Sequence, residues 1–174
     1  MDASRLTLIG DVEGYTPQIG RLVSMMTYAR WTTLEAVTGL TQVELDHLQD
    51  REANSIGALL LHVAAVEVAY QARTFDGRGL TREEWRRWGA ALELGEPGRR
   101  ELRGHDLDFY VGQLEEVRDR TFKELRGRDD AWLTGEEPFW EGRPANRHFM
   151  WFHVFEDELN HRGQIRWLRK RLPG

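Results

Sequence analysis

The sequence has no cysteine. Disulfides, cysteine-ligated zinc modules and a cysteine nucleophile are therefore excluded, and any thiol chemistry must use a ligand's sulfur. It has no run of about 18 apolar residues, so no membrane span is expected. Its N-terminus, MDASRLTLIG, lacks a basic stretch followed by a long apolar one, so no signal peptide is visible and the cytoplasm is the expected location. It also lacks an excess of positive charge: the formal net charge is −5 with His neutral. Nucleic-acid binding draws on basic surface, so no nucleic-acid partner is expected. Arg166, Arg169, Lys170 and Arg171 do cluster near the C-terminus, but they read as a basic last helical turn that complements the helix dipole.

What is present is an ordinary globular composition, 40% hydrophobic and 30% charged over 174 residues, a length that suits one domain. Seven tryptophans cannot all be core centres, so some are expected to line a pocket or an interface. Thr16-Pro17 starts a first helix with apolar residues at helical spacing from Ile19 to Val37, and Gly39 stops it. Thr41 to Leu45 forms one short turn. The polar stretch 46–54 reads as a loop. Asn54 or Ser55 starts a second helix, which ends before Gly77. Thr81 to Leu94 reads as a shorter helix, with Thr81 as cap and Glu84 three residues on. GEPGRRELRG reads as a flexible connection. Asp106 caps a third long helix that runs to about Arg126. Residues 128–144 form a long loop, or a short hairpin. The last helix runs from near Asn146 to about Leu172. With no convincing strand and no repeat, the expectation is an all-α four-helix bundle with one short extra helix.

The last helix carries HVFEDELNHRGQI. At 100° per residue, His153, Asp157 and His161 fall at about 0°, 40° and 80°, while Met150, Leu168, Val154 and Ile165 fall between about 60° and 120°. This reading puts Asp157 and His161 in the middle of the core face. An ionised carboxylate there is costly unless it is paired or binds a metal. Asp and His at i and i+4 can chelate one ion. His62, in LLLHVAAVE on the second helix, is the best candidate for a third ligand. Two His and one carboxylate suit zinc, nickel, iron or manganese. The alternatives are a simple Asp–His ion pair and a hydrogen-bonded core histidine at position 62. His153 is either a core residue or a neighbour of the metal: a fourth ligand, or a group that supports the ligands. Gln164 is placed to orient a ligand. Glu67 and Glu156 point away from the metal, and His47, His105 and His148 read as solvated.

HVFEDELNHRGQI resembles the last-helix signature of the DinB-like superfamily, which includes bacillithiol transferases and mycothiol-dependent maleylpyruvate isomerases. LLLHVAAVE resembles its second-helix motif, and YARWTTLEAVTGLTQVEL its first helix and following loop. The resemblance implies an up–down–down–up bundle with a metal at one end, held by His62, Asp157 and His161. Many members have His at the middle position; Asp157 stands closer to the Glu-containing pattern of the isomerase branch, on a shorter side chain.

The resemblance also implies an enzyme. A divalent metal, zinc or nickel first and iron or manganese next, activates a low-molecular-weight thiol such as bacillithiol or mycothiol. The thiolate attacks a small-molecule electrophile, in S-transfer or isomerisation. His153 is the candidate proton relay. Competing readings are a metal-dependent hydrolase with Glu67, Glu156 or His153 as base, and a non-catalytic metal-binding stress protein, which a fourth ligand would favour. Trp151, Phe152, Phe155 and Leu159 form a second apolar side of the last helix, covered either by a neighbouring helix or loop or by a homodimer partner.

Overall fold

Helices with one apolar stripe must bury those stripes on one another. The computed structural model, which describes residues 6–173, shows how. Residues 1–5, the start of the stretch read for a signal peptide, and residue 174 lie outside the described residues. In chain order the elements are α1 (Pro17–Val37), α2 (Gln42–Leu45), α3 (Ile56–Thr74), α4 (Arg82–Glu93), α5 (Gly95–Glu101), α6 (Leu107–Arg126), α7 (Asp130–Leu133), β1 (Glu136–Pro138), β2 (Pro144–Asn146) and α8 (Arg147–Arg169). Their starts follow cap chemistry. Ser55, Asp106 and Asn146 each accept a backbone N–H three residues on. Thr41 with Glu44 and Thr81 with Glu84 form capping boxes.

The direction of each long helix follows from what its ends touch. One apolar cluster joins Ala36 and Val37 of α1, Ile56 to Leu61 of α3, Tyr110 and Leu114 of α6, and Ile165 and Leu168 of α8. The other joins Ile19 and Leu22 of α1, Leu125 of α6, and Trp151 and Phe155 of α8, with Tyr70 and Phe75 packed against it from the far end of α3. So α1 and α8 run one way and α3 and α6 the other, giving up–down–down–up. Successive helices α3 and α6 are parallel, so the chain must return to its starting end between them. The return passes through α4, which packs on α3 through Trp88 and Ala91.

Between the two clusters lies a layer of charge, one residue from each bundle helix: Arg30, Glu67, Arg118 and Glu158, all buried. Arg118 reaches Glu67 at 2.8 Å and Glu158 at 2.9 Å, and Arg30 reaches Glu158 at 2.9 Å and Glu67 at 3.4 Å. Spare donors go to the carbonyls of Leu114 and Met26, and Thr121 donates to Glu67. Burial disfavours the Glu158 carboxylate, but Arg30 and Arg118 outweigh it and hold its pKa below the ordinary value.

The structure corrects the sequence reading at several points. GEPGRRELRG is not a flexible connection: its first seven residues are α5. Pro97 falls in the first turn, where it is tolerated, and Leu102 beyond the helix is buried in the core. In 128–144 the hairpin alternative holds, with Glu137 paired to Ala145 across β1 and β2, and the unforeseen part is the short helix α7 before it. The core face of α8 is also rotated from the expected position. Met150, Trp151, Val154, Phe155, Glu158, Ile165 and Leu168 are buried, a face centred near Glu158 rather than Asp157. A charged residue at the centre split that face into two apparent apolar sides. Trp151 and Phe155 pack inside the protein, and Phe152 is exposed. His47, His105 and His148 are half-buried rather than solvated, and His105 stacks on Phe109.

Candidate metal centre

His62 stands on α3, and Asp157 and His161 stand one turn apart on α8 at the rim of its buried face. Their ligating atoms lie within 4.8 Å of one another. The two imidazole rings meet edge-on at 4.6 Å. His62 Nε2 is 3.7 Å from one Asp157 oxygen, and His161 Nε2 is 3.6 Å from the other. Both distances are longer than hydrogen bonds.

The outer nitrogens explain which way the lone pairs face. His62 Nδ1 is 2.8 Å from the Ala91 carbonyl, which can only accept, so Nδ1 carries the proton. His161 Nδ1 is 3.3 Å from Gln164 Oε1, which again only accepts. In the neutral rings both Nε2 atoms therefore present lone pairs toward the carboxylate. Asp157 Oδ2 is buried and has no hydrogen-bond partner among the described residues. Protonating His62 would relieve this, but its burial lowers its pKa, and the Ala91 hydrogen bond and the Asp157 charge do not reverse that. Three acceptors facing one point, one of them orphaned, fit a divalent cation. The outer hydrogen bonds are the kind that orient metal-ligating imidazoles.

His153 lies one turn before Asp157 and stands outside this group. Its Nδ1 is 2.9 Å from Glu156 Oε2, and Glu156 Oε1 accepts from Asn160 at 2.8 Å. Its ring meets Trp140 edge-on at 4.8 Å and stacks with Phe149. Glu67 is turned away into the buried charge layer. That layer escaped the sequence reading, although each of its four residues sits on an otherwise apolar stripe. Ala91 was equally out of reach, because its part is played by a backbone carbonyl 29 residues from His62.

A cleft of about 720 Å³ is lined among others by Tyr70, Arg73, Trp85, Leu92, Phe139 and Trp140; the three candidate ligands are not in its lining, but Tyr70 and Trp140 pack against the His153 ring. Burial, and then the Asp157 charge, push the Tyr70 phenol well above its ordinary pKa. On the flank beyond His161, a hollow of about 500 Å³ is lined by Asn54, Asn160, Gln164 and Trp167. Among the described residues, no helix is long and apolar enough to cross a membrane.

Comparison with known proteins agrees with this architecture. A family model described as mycothiol-S-transferase matches residues 21–174. No curated protein is significantly similar in sequence. The crystal structure of a conserved protein from Enterococcus faecalis superposes with a TM-score of 0.66 at 16% identity, covering 86% of this chain and 93% of that one. At that identity the likeness speaks for the fold, which it shares.

Proposed function

The chain belongs to the mycothiol-S-transferase family, and on that premise we propose that it is a metal-dependent transferase that joins a low-molecular-weight thiol to a small electrophile. The observation that carries the metal dependence is the Asp157 carboxylate between two imidazole nitrogens, its orphaned oxygen toward His62 and its other oxygen toward His161. His62, Asp157 and His161 hold a divalent cation, and two imidazoles with one carboxylate suit zinc or nickel. The bound cation supplies the positive charge that lowers a thiol's pKa. Three protein ligands leave room for that thiol, as catalytic sites do.

The remaining steps fall to the protein. Ala91 and Gln164 hold the two imidazoles in the ligating tautomer. His153 takes up the thiol proton at Nε2, because Nδ1 is engaged by Glu156. The family description supports mycothiol as the thiol. The lack of cysteine is consistent with a nucleophilic sulfur that the ligand brings.

Elemental analysis tests the site. Purified protein is expected to carry one equivalent of metal, and His161→Ala and Asp157→Ala to lose it, with thiol consumption falling in parallel. Full metal stoichiometry in both variants would sink the assignment.

A further inference from the structure

The reading above leaves the electrophile unspecified, and the cleft that Tyr70 and Trp140 line carries information about it. Ala69 and Arg73 lie about two and three turns beyond His62, so they share its face of α3. Both line the cleft, as does Leu92, the neighbour of the residue whose carbonyl holds His62. The cleft thus lies along the His62 face of α3 from about two turns beyond that residue, and its Tyr70 and Trp140 rings pack against His153. Its far wall is the hairpin, through Phe139 and Trp140, and α4 contributes Trp85.

Two properties of the lining are decisive. The first is aromatic surface. Tyr70, Trp85, Phe139 and Trp140 all line it, and Trp85 and Trp140 are 49% and 56% exposed. Large indoles left facing an open cleft are surface that a ring can cover. The second is charge. Arg73 is paired with Glu137 at 2.5 Å, and Arg78 with Glu84 at 2.6 Å and Asp76 at 2.9 Å. Each cation of the lining is already answered by a carboxylate, so the cleft offers no free charge for an ionic substrate. The hollow on the other flank is different, with the amides of Asn54, Asn160 and Gln164 in its lining.

We infer that the aromatic cleft is the electrophile subsite and that it selects uncharged, ring-bearing electrophiles, the thiol approaching from the amide-lined flank. This rests on the transferase reading. In the step it serves, the thiolate sulfur attacks the ring carbon of an activated aryl halide. The S–C bond forms, the C–halogen bond breaks, and the halide leaves with its electron pair. The thiol's proton has already passed to His153.

The test has a binding arm and a turnover arm, both on the full chain as purified. In the first, equilibrium dialysis measures binding of 1,3-dinitrobenzene, an uncharged ring with no leaving group. Trp85→Leu and Trp140→Leu are each expected to weaken it by roughly tenfold, the loss of one aromatic contact and its buried area. Saturating mycothiol is expected to leave it bound. In the second, kcat/KM with mycothiol is compared for 1-chloro-2,4-dinitrobenzene, iodoacetamide and iodoacetate. The aryl chloride is expected to gain relative to its uncatalysed rate over both iodo compounds, and the gain to shrink in the two variants. Dinitrobenzene binding that neither variant weakens, displacement by mycothiol, or a preference for iodoacetate would overturn the inference. Cleft-dependent binding without turnover of any electrophile would support the subsite and count against the transferase reading. Turnover of iodoacetamide with no advantage for the ring would do the reverse.

Discussion

Asp157 is the residue on which the site turns. Its oxygens face two nitrogens that their outer partners have fixed as acceptors, so in the protein alone it meets only electron density. Gln164 is the weaker of the two fixing groups, at 3.3 Å and exposed, and among the described residues its side chain hydrogen-bonds no other member of the site. Removing such an outer partner typically lowers metal affinity by about 10–100-fold without abolishing it. Gln164→Ala is therefore expected to bind metal more weakly by that factor in competition with a chromophoric chelator, while keeping full occupancy at saturating metal. Affinity equal to wild type would mean that Gln164 orients nothing. This part of the site was legible in the sequence because Asp157, His161 and Gln164 are local on one helix, where spacing alone fixes geometry. Choosing His62 as the third arm rested on the motif it sits in, since spacing says nothing across helices. The Ala91 carbonyl left no trace, since any residue type supplies one.

Beyond α3 and α8, which carry the three side chains, α4 has the most direct hold on the site, for it carries that carbonyl. Its first turn is fixed by Glu84, whose carboxylate accepts from the Thr81 backbone N–H and pairs with Arg78, while its own backbone N–H donates to the Thr81 hydroxyl. The Arg78 hydrogen bond, followed by the Thr81 backbone, takes the Glu84 pKa from 4.5 down to about 2. A folded-state pKa below the unfolded one means that the unfolded chain binds the proton first. The stabilisation is thus complete above about pH 4.5 and is lost as pH falls through about 2. Wild type is expected to melt above Glu84→Gln by a constant margin near neutral pH, with the margin closing as pH approaches 2. A margin unchanged at that pH would show that the carboxylate's charge is not its source. The capping box was legible from Thr81 and Glu84 alone. The helix α5 was not, because Gly95, Pro97 and Gly98 together read as breakers. Only the folded chain shows Gly95 N–H anchored on Asn54 and Leu102 docked in the core.

For the whole molecule, the buried charge layer is the feature that a stripe-by-stripe reading could not assemble. Each charge, weighed on its own helix, looks like a fault in an apolar face. Together Arg30, Glu67, Arg118 and Glu158 are neutral and mutually bonded, one from each helix. Such a layer is satisfied only when all four helices meet at one level. It therefore fixes the level of α3 against α8 near the site, one residue from Asp157 on α8 and five residues from His62 on α3. Removing one member of a buried ion pair costs about 3–5 kcal/mol, since the partner is left charged and dry. Arg118→Met strips both glutamates of a partner, so urea unfolding is expected to show a loss of that size. Replacing all four residues with apolar ones of similar volume removes the unpaired charge as well, and buried pairs replaced in this way are often neutral or stabilising. The fourfold variant is thus expected to recover most of the stability that Arg118→Met loses. If the layer also sets the level of α3 against α8, the recovered protein should still bind metal more weakly than wild type. Full recovery of stability together with wild-type metal affinity would leave the layer a stability device with no hold on the site.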